Sequence, residues 1–342
     1  MEHKAVEESV LDVYRRVSPS YREMGTEKDF HKNLEQRTAI LTKLNLHPIW
    51  FKGKRVLEIG GGTGENSIFY SLWGADVTIV EPNEISCNRA TELFKEFDKT
   101  LSTINKSLFD IEPNIFQDFD IIIAEGVLHH TFNTMKALDL ILKNANKDTL
   151  IMIAIPEYHG WFKRNLQRKL ISSVSGAENE IVENSKKYFQ NHIDRAVKYG
   201  LRTEESVIYD TFVNPQIETT KLEEICFYFY KNKFNFYSSY PSMNIFFETQ
   251  PWSKNRVNLF DYKTYVSYFK TLEKVWACSG EEDFKSEISN ITGMFDRVDK
   301  EYGDLLELKT TINNKSFKVE DLKPIQNGYM GIGMNYFVGI KE

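Results

Sequence analysis

The stretch Val56-Leu57-Glu58-Ile59-Gly60-Gly61-Gly62-Thr63-Gly64-Glu65-Asn66 decides the fold of this chain. Its first four residues form a short, mostly apolar run with the length of a buried strand, and the glycines follow at once. A helical pattern opens near Glu65. A strand, a glycine-rich turn and a helix in this order predict a nucleotide-binding crossover in an open α/β sheet. Glycine permits the tight turn and leaves room for a ligand against the backbone, while the N–H groups of the helix favour a negatively charged ligand group.

The loop lacks the residues of two common phosphate-binding motifs. No lysine closes it, as a P-loop requires, and G-x-G-x-x-G fails because Glu65 or Ser67 stands where the third glycine belongs. The pattern that fits is acid-x-Gly-x-Gly-x-Gly, formed by Glu58, Gly60, Gly62 and Gly64. This pattern resembles the first motif of class I S-adenosylmethionine-dependent methyltransferases.

The resemblance implies S-adenosyl-L-methionine as the cofactor. The tail of this cofactor is a zwitterion without a pyrophosphate, so its carboxylate suits the helix N-terminus and Glu58 is placed to help hold its ammonium. An acid at this position would be a poor neighbour for a pyrophosphate. The cofactor-binding residues that the resemblance implies are Glu58, Gly60, Gly61, Gly62, Gly64, Asn66, Glu81, Pro82, Ser107, Leu108, Glu125 and Gly126.

The second predicted strand, Asp76–Val80, ends at Glu81, the ribose position of this fold, about 20 residues beyond the glycines. A carboxylate only accepts hydrogen bonds, so it matches the two donors of a ribose diol. Relatives usually carry an acid where Ser107 stands and use it for the adenine amino group. This chain departs there, and the sequence leaves open whether Ser107 or Asp110 takes the role.

A fourth strand pattern, Phe119–Ala124, runs into Glu125-Gly126-Val127-Leu128-His129-His130. This run resembles the fourth motif of the same family, in its Gly-Val-Leu-His-His branch. The resemblance implies that His129 and His130 lie beside the transferred methyl group, where a neutral imidazole can accept a hydroxyl or amine proton. A structural cap on the following helix is the alternative for either histidine. Two adjacent histidines do not make a metal site, and with no further ligand cluster the sequence predicts none.

Alternating strand and helix patterns over 54–156 predict an α/β fold. We expect a Rossmann-like, seven-stranded, mostly parallel sheet with an antiparallel last strand, helices on both faces and helical cap insertions. The predicted segments are an N-terminal helical segment (1–50), the cofactor-binding core (51–156), a helical cap insertion (157–218), a core helix with strand six (219–241), a second helical insertion (242–328) and the final core strand (329–342). Tyr21, in the loop of the first segment, is a candidate cofactor contact.

The basic, amphipathic pattern from Trp161 to Ile171 has three interpretations. It could be a lid over the substrate, a helix on a membrane surface, or a core helix with a solvated basic face, which is the default for such a pattern.

Composition limits the function classes. The 342 residues carry a net charge of −6, which does not favour a dedicated nucleic-acid binder. Three widely spaced cysteines and the lack of an export signal predict a cytoplasmic protein. No apolar run approaches the length of about 18 residues that a membrane span needs.

Three functional hypotheses remain. The first is a methyltransferase acting on an O, N or C atom of a small or medium acceptor, such as a sugar, a lipid-linked group or a natural-product intermediate. The second is a tRNA methyltransferase that uses basic residues on phosphates. The third is a non-catalytic cofactor-binding or scaffold protein. The sequence leaves the oligomeric state open. The basic residues of the second hypothesis are Lys163, Arg164, Arg168 and Lys169.

Overall fold

A computed structural model of the chain describes residues 2–18, 21–22, 24–200, 202–244, 257–279, 291–327 and 330–342. Its centre is one seven-stranded sheet with the order β3-β2-β1-β4-β5-β7-β6. The strands are β1 (Arg55–Ile59), β2 (Asp76–Val80), β3 (Ser102–Ile104), β4 (Ile121–Glu125), β5 (Leu150–Pro156), β6 (Phe234–Tyr240) and β7 (Met334–Lys341).

Helices lie on both faces of the sheet and beyond its carboxyl edge. They are α1 (Glu2–Arg16), α2 (Glu27–Lys43), α3 (Ser67–Leu72), α4 (Glu84–Glu96), α5 (Thr134–Asn144), α6 (Phe162–Val174), α7 (Glu178–Gly200), α8 (Glu204–Ile208), α9 (Leu222–Lys231), α10 (Tyr262–Cys278), α11 (Ile291–Asn313) and α12 (Lys323–Gln326). Among the described residues, none of these helices is long and apolar enough to cross a membrane.

The pairing confirms the predicted mixed sheet. Strands β1 to β5 pair in parallel, and β7 lies antiparallel between β5 and β6. Strand β7 begins at Met334, later than the predicted start near Tyr329, which lies outside the described residues. Gly331 and Gly333 precede it with φ of +82° and +83°, a conformation that extended strands do not contain.

The first helix after the glycine turn also begins later than predicted. It opens at Ser67, because the turn continues through Gly64, which has φ +88°, as far as Asn66. All seven residues of β5 are buried, as expected for a strand inside the sheet that helices cover on both faces.

The helices outside the sheet share a core of their own. Phe162 and Leu166 of α6 belong to one buried cluster with Phe189 of α7 and with Val298 and Leu305 of α11. The two predicted insertions therefore pack on each other, although residues 282–290 of the predicted second helix lie outside the described part of the chain. The division into six segments stays a prediction.

Helix α6 is a core helix of this cluster, but its predicted solvated basic face is wrong at two positions. The Lys163 side chain is 4% exposed and pairs with Glu301 at 2.8 Å. Arg168 donates hydrogen bonds to the backbone carbonyls of Thr211 and Asn214. These cations hold the cap together, which amphipathic periodicity alone does not indicate.

Candidate cofactor and active site

One cavity opens at the carboxyl ends of β1, β2 and β4, where the strand order of the sheet reverses. Parallel α/β sheets bind ligands at this place because neighbouring connections leave to opposite faces. All but two of the predicted site residues line it. These are Glu58, Gly60, Gly61, Gly62, Asn66, Glu81, Pro82, Ser107, Leu108, Glu125, Gly126 and His130. Gly64 and His129 do not belong to its wall as described.

Two glycines of the turn are needed because neighbouring protein atoms lie close to them, and not only because a ligand needs the space. Gly60 has φ +66°, and a Cβ there would lie 2.3 Å from Cγ2 of Val127. Gly64 has φ +88°, and its Cβ would lie 3.0 Å from the Cβ of Ala90 on α4. Gly64 therefore lets the turn pack on α4, and it does so from outside the cavity wall.

Glu81 fastens the glycine turn to the end of β2. The Gly62 N–H donates to its Oε2 at 3.1 Å, and the Asn83 N–H donates to its Oε1 at 2.9 Å. Burial raises the pKa of Glu81 to about 7, against the backbone hydrogen bonds that lower it. The acid that the sequence assigns to the ribose is thus held rigidly at the cavity wall.

Glu58 is similarly buried at the end of β1. Ser67, the first residue of α3, donates a short hydrogen bond from its hydroxyl to Glu58 Oε2. Burial raises the pKa of Glu58 to about 7, and the Ser67 hydrogen bond acts against this rise. A ligand cation bound beside this carboxyl group would favour its ionised form.

Glu125 is held by a buried arginine that sequence reasoning missed. Arg37 of α2 donates to its two oxygens at 2.6 and 2.8 Å, and Tyr336 donates to Oε1 at 2.9 Å. Burial alone would raise the pKa of Glu125, but the Arg37 guanidinium outweighs it and the pKa is lowered. Arg37 stands on the apolar stripe of α2 with Leu41, and a charge on such a stripe signals a buried partner.

The N-terminal helix forms the wall opposite the sheet. Val10, Leu11 and Tyr14 of α1 line the cavity, as does Arg22 in the loop that follows. The predicted contact Tyr21 is 44% exposed and is not in the wall. The N-terminal segment closes the site as expected, but through α1 and Arg22 and not through Tyr21. A loop has no sequence periodicity that indicates which of its side chains point inward.

The two residues predicted for the adenine amino group differ in their position relative to the cavity. Ser107 is 6% exposed, lines the cavity and accepts a hydrogen bond from the Phe109 N–H at 3.2 Å. The Asp110 side chain is 42% exposed, lies 3.8 Å from Lys4 and is not in the wall. Only Ser107 is therefore placed to contact a ligand there.

His130 lies at the far end of the cavity, beside α1. Its Nδ1 is 2.8 Å from the Gln216 carbonyl oxygen and 3.2 Å from Asn214 Nδ2. The carbonyl oxygen can only accept, so a proton on Nδ1 satisfies the shorter contact and leaves the lone pair on Nε2. Nε2 is 3.8 Å from Oδ1 of Asp210, and Asp210 accepts hydrogen bonds from Tyr14 at 3.3 Å and from Arg202 at 3.0 Å. Burial lowers the pKa of His130, so the ring is neutral near pH 7.

His129 lies behind His130. It is 3% exposed, and the two ring centroids are 3.9 Å apart. Burial lowers its pKa well below the ordinary value. The structure therefore brings only one of the two candidate catalytic histidines to the cavity: His130 lines it, and the His129 ring packs behind the His130 ring.

Comparison with known families defines the class. Residues 30–191 match the model of a family described as a methyltransferase domain. Combined with the strand order and the glycine turn, this match identifies the stretch as a class I S-adenosylmethionine-dependent methyltransferase domain, whose cofactor is S-adenosyl-L-methionine.

A relative of this class is the probable S-adenosyl-L-methionine-dependent methyltransferase TehB of Haemophilus influenzae. It is 33% identical over 96 residues, which cover 28% of this chain and 32% of that protein. The match thus spans about a third of the relative's length. Among solved structures, PKMT2 from Rickettsia typhi in complex with AdoHcy is 14% identical, with a TM-score of 0.47 over 73% of this chain and 51% of that one. Magnesium protoporphyrin IX methyltransferase from Synechocystis PCC 6803 with bound SAH is 13% identical, with a TM-score of 0.41 over 70% and 92%.

Proposed function

We propose that this chain transfers a methyl group from S-adenosyl-L-methionine to an O, N or C atom of a small or medium acceptor. A sugar, a lipid-linked group or a natural-product intermediate would suit the site. The observation that carries the proposal is the continuity of one cavity, which joins the glycine turn and Glu81 to His130 and Tyr14. Donor and acceptor would therefore share one enclosed space.

The donor would lie along the strand ends. Its ribose would contact Glu81, its adenine would lie near Ser107, and its ammonium would face Glu58. Arg22 adds a cation beside Asn66, at 3.5 Å from its Oδ1, and offers a charged partner for the donor carboxylate. In this arrangement the sulfonium would lie between the sheet and α1.

The acceptor would lie between Val127 and α1. Transfer is an in-line displacement, so holding the nucleophile, methyl and sulfur on one line supplies much of the catalysis. A bond forms between the acceptor atom and the methyl carbon, the methyl–sulfur bond breaks, and its electron pair stays on sulfur. For a hydroxyl or amine acceptor, His130 Nε2 would take the proton, and Asp210 would stabilise the resulting imidazolium.

Two features disfavour tRNA as the acceptor. Lys163 and Arg168 are already used inside the fold, by Glu301 and by backbone carbonyls. Arg164 lies over the Trp161 ring at 5.5 Å. Lys169 is left as an exposed charge on this helix. A steep loss of substrate binding with added salt would be the sign of phosphate contacts, and we expect a shallow one.

The decisive experiment is incubation with methyl-labelled donor and cell extract, followed by fractionation of the labelled product. We expect label in a low-molecular-mass fraction. If a proton must be removed, His130→Ala should incorporate label about 10²–10⁴-fold more slowly. The control His31→Ala should incorporate label at the wild-type rate. The His31 side chain is 59% exposed and does not line the cavity. Because burial lowers the pKa of His130, the rate should hold as the pH falls to the ordinary histidine value of 6.5 and decline below it.

Two results would contradict the proposal. Label confined to RNA would favour the tRNA alternative. Binding of S-adenosylhomocysteine without transfer to any fraction would favour a non-catalytic scaffold.

A further inference from the structure

A second group of ionisable side chains lies outside the cavity, at the end of β5. Glu157 and His159 stand in the turn that follows this strand, and Glu273 reaches them from α10. His159 Nδ1 is 3.0 Å from Glu157 Oε1 and 3.7 Å from Glu273 Oε1. One ligand atom from each residue lies within 4.8 Å of the other two. The side chains are 0%, 14% and 12% exposed.

The turn holds Glu157 in a fixed orientation. The backbone N–H groups of His159 and Gly160 both donate to its Oε2 at 2.9 Å. This leaves Oε1 as the oxygen nearest the imidazole. Residues locked by backbone hydrogen bonds make good ligands, because little conformational freedom is lost when an ion binds.

The cluster carries more negative than positive charge. Two largely buried carboxyl groups face one imidazole, and within the described ranges no lysine or arginine lies within ion-pair distance of Glu157 or Glu273. A buried carboxylate without a full counter-charge is costly. A cation shared by both carboxylates would remove this cost.

We propose that Glu157, His159 and Glu273 bind one divalent first-row transition-metal ion, with Zn²⁺ or Mn²⁺ as the ion. One nitrogen and two oxygen donors suit such ions, and ligands at about 2.0–2.2 Å from a metal lie roughly 3–3.7 Å from each other. Two of the separations already match this spacing. On binding, His159 Nδ1 gives up its proton and the other ring nitrogen keeps one.

The ion would join the sheet to the cap. The turn after β5 lies at the carboxyl end of the sheet. Helix α10 contributes Phe269, Leu272 and Trp276 to the core of the sheet, and Val275, Ala277 and Cys278 to the cluster of cap helices, so the ion would add to apolar contacts that α10 already makes with both. A shared ion would therefore fix the position of α10 against the core. This structural role is separate from methyl transfer, and it would stand even if no acceptor were found.

A shared proton is the competing explanation. Burial raises the pKa of Glu273 to about 7, although the neighbouring His159 lowers it. If protons alone neutralise the cluster, the protein should need no metal, so stoichiometry and metal dependence separate the two explanations.

The test uses the full chain, freed of metal with dipicolinate and titrated with ZnCl₂ or MnCl₂ by calorimetry. Bound metal is then counted by mass spectrometry after gel filtration. We expect one ion per chain and a higher Tm with metal. Glu273→Gln and His159→Gln should each weaken binding by more than the roughly 10–100-fold typical of losing an outer-shell partner. Glu92→Gln, the same change at an exposed site on α4, should leave metal binding unchanged.

Binding of S-adenosylhomocysteine and circular dichroism show whether each variant is folded. If one of the two variants Glu273→Gln and His159→Gln does not fold, the other still tests the site. The proposal is overturned if the folded wild-type protein takes up neither ion stoichiometrically. It is also overturned if Glu273→Gln and His159→Gln bind metal as tightly as the control. If the Tm does not change when metal is added and rises only as the pH falls through 7, a shared proton and not a metal ion neutralises the cluster.

Discussion

Arg37, whose side chain has no exposed surface, donates to both oxygens of Glu125, at 2.6 and 2.8 Å. The pair ties α2 to the end of β4, and Glu125 itself lines the candidate cofactor cavity. A helix that lies outside the cavity therefore fixes the position of a residue inside it.

Breaking this pair should destabilise the fold. Arg37→Met leaves Glu125 buried without its cation, and we expect a loss of about 3–5 kcal/mol in the free energy of unfolding. The double variant Arg37→Met/Glu125→Leu should regain part of it, because no buried charge remains. Urea denaturation measures both. Lys186→Met breaks the exposed pair with Glu204 and should cost no more than about 1 kcal/mol; equal costs would show that the buried pair has no special role.

The pH dependence of this pair has a definite sign. The pKa of Glu125 is lowered from its ordinary value of 4.5, so the folded state binds the proton less readily than the unfolded state. The stabilisation is present above pH 4.5 and is lost as the pH falls through the lowered pKa.

Glu81→Gln should weaken cofactor binding. The ribose loses a charged acceptor, and we expect S-adenosylhomocysteine to bind about 1–3 kcal/mol less tightly by calorimetry. Because burial raises the pKa of Glu81 to about 7, wild-type affinity should also fall as the pH drops below 7, whereas the affinity of Glu81→Gln should stay flat there. Unchanged affinity in the variant would remove Glu81 from the site.

The same variant should change how stability depends on pH. In the wild type, the folded state holds the Glu81 proton between the ordinary pKa of 4.5 and about 7. The stabilisation is full below pH 4.5 and is lost as the pH rises through 7, so Glu81→Gln should flatten part of this decline. The rest of the decline should persist in the variant, because burial also raises the pKa of Glu58 to about 7.

Gly60 and Gly53 separate backbone strain from steric contact. Their φ values are +66° and +71°, yet a Cβ at Gly53 has nothing within 4 Å, whereas one at Gly60 would meet Val127 at 2.3 Å. Gly53→Ala should cost about 1–2 kcal/mol from backbone strain alone. Gly60→Ala should cost about 1–3 kcal/mol more, from overpacking, and should also impair cofactor binding. Equal thermal stability of the two variants would contradict this account of the turn.

Arg22→Met should weaken binding of ligands that carry the donor carboxylate. We expect about 1.5–3 kcal/mol for S-adenosylhomocysteine, the range for hydrogen bonds to charged groups. Methylthioadenosine lacks the amino-acid tail, so its affinity should not change. Arg55→Met, at the start of β1, is the control, since Arg55 is 54% exposed and is not in the wall. A similar loss for both ligands would place Arg22 elsewhere in the site or in the fold.

The sequence predicted the parts of the site whose residues are consecutive. Strand, turn and helix lie next to each other around Gly60, so a short motif that resembles a known family pointed to Glu58, Gly60 and Gly62, and the end of the second strand pointed to Glu81. What it missed comes from tertiary packing. Arg22 and Tyr14 reach the cavity from another part of the chain, and no repeat or spacing connects them to the glycine turn.

Burial accounts for the wrong details. The sequence does not distinguish the two adjacent histidines, but in the structure His129 is buried within the 3₁₀ turn and His130 lines the cavity. Lys163 looks like a surface charge on an amphipathic helix, yet its partner Glu301 lies far along the chain on α11. Gly64 matches a family motif, but its neighbour is Ala90 of the following helix.

The wall formed by helix Glu2–Arg16 has an evolutionary consequence. Val10, Leu11 and Tyr14 would face the acceptor, whereas the residues assigned to the donor, apart from Arg22, come from strand ends and turns encoded later in the gene. Under the proposed function, mutations in some fifteen codons could redirect a lineage to a new substrate while the machinery for the shared methyl source is inherited intact.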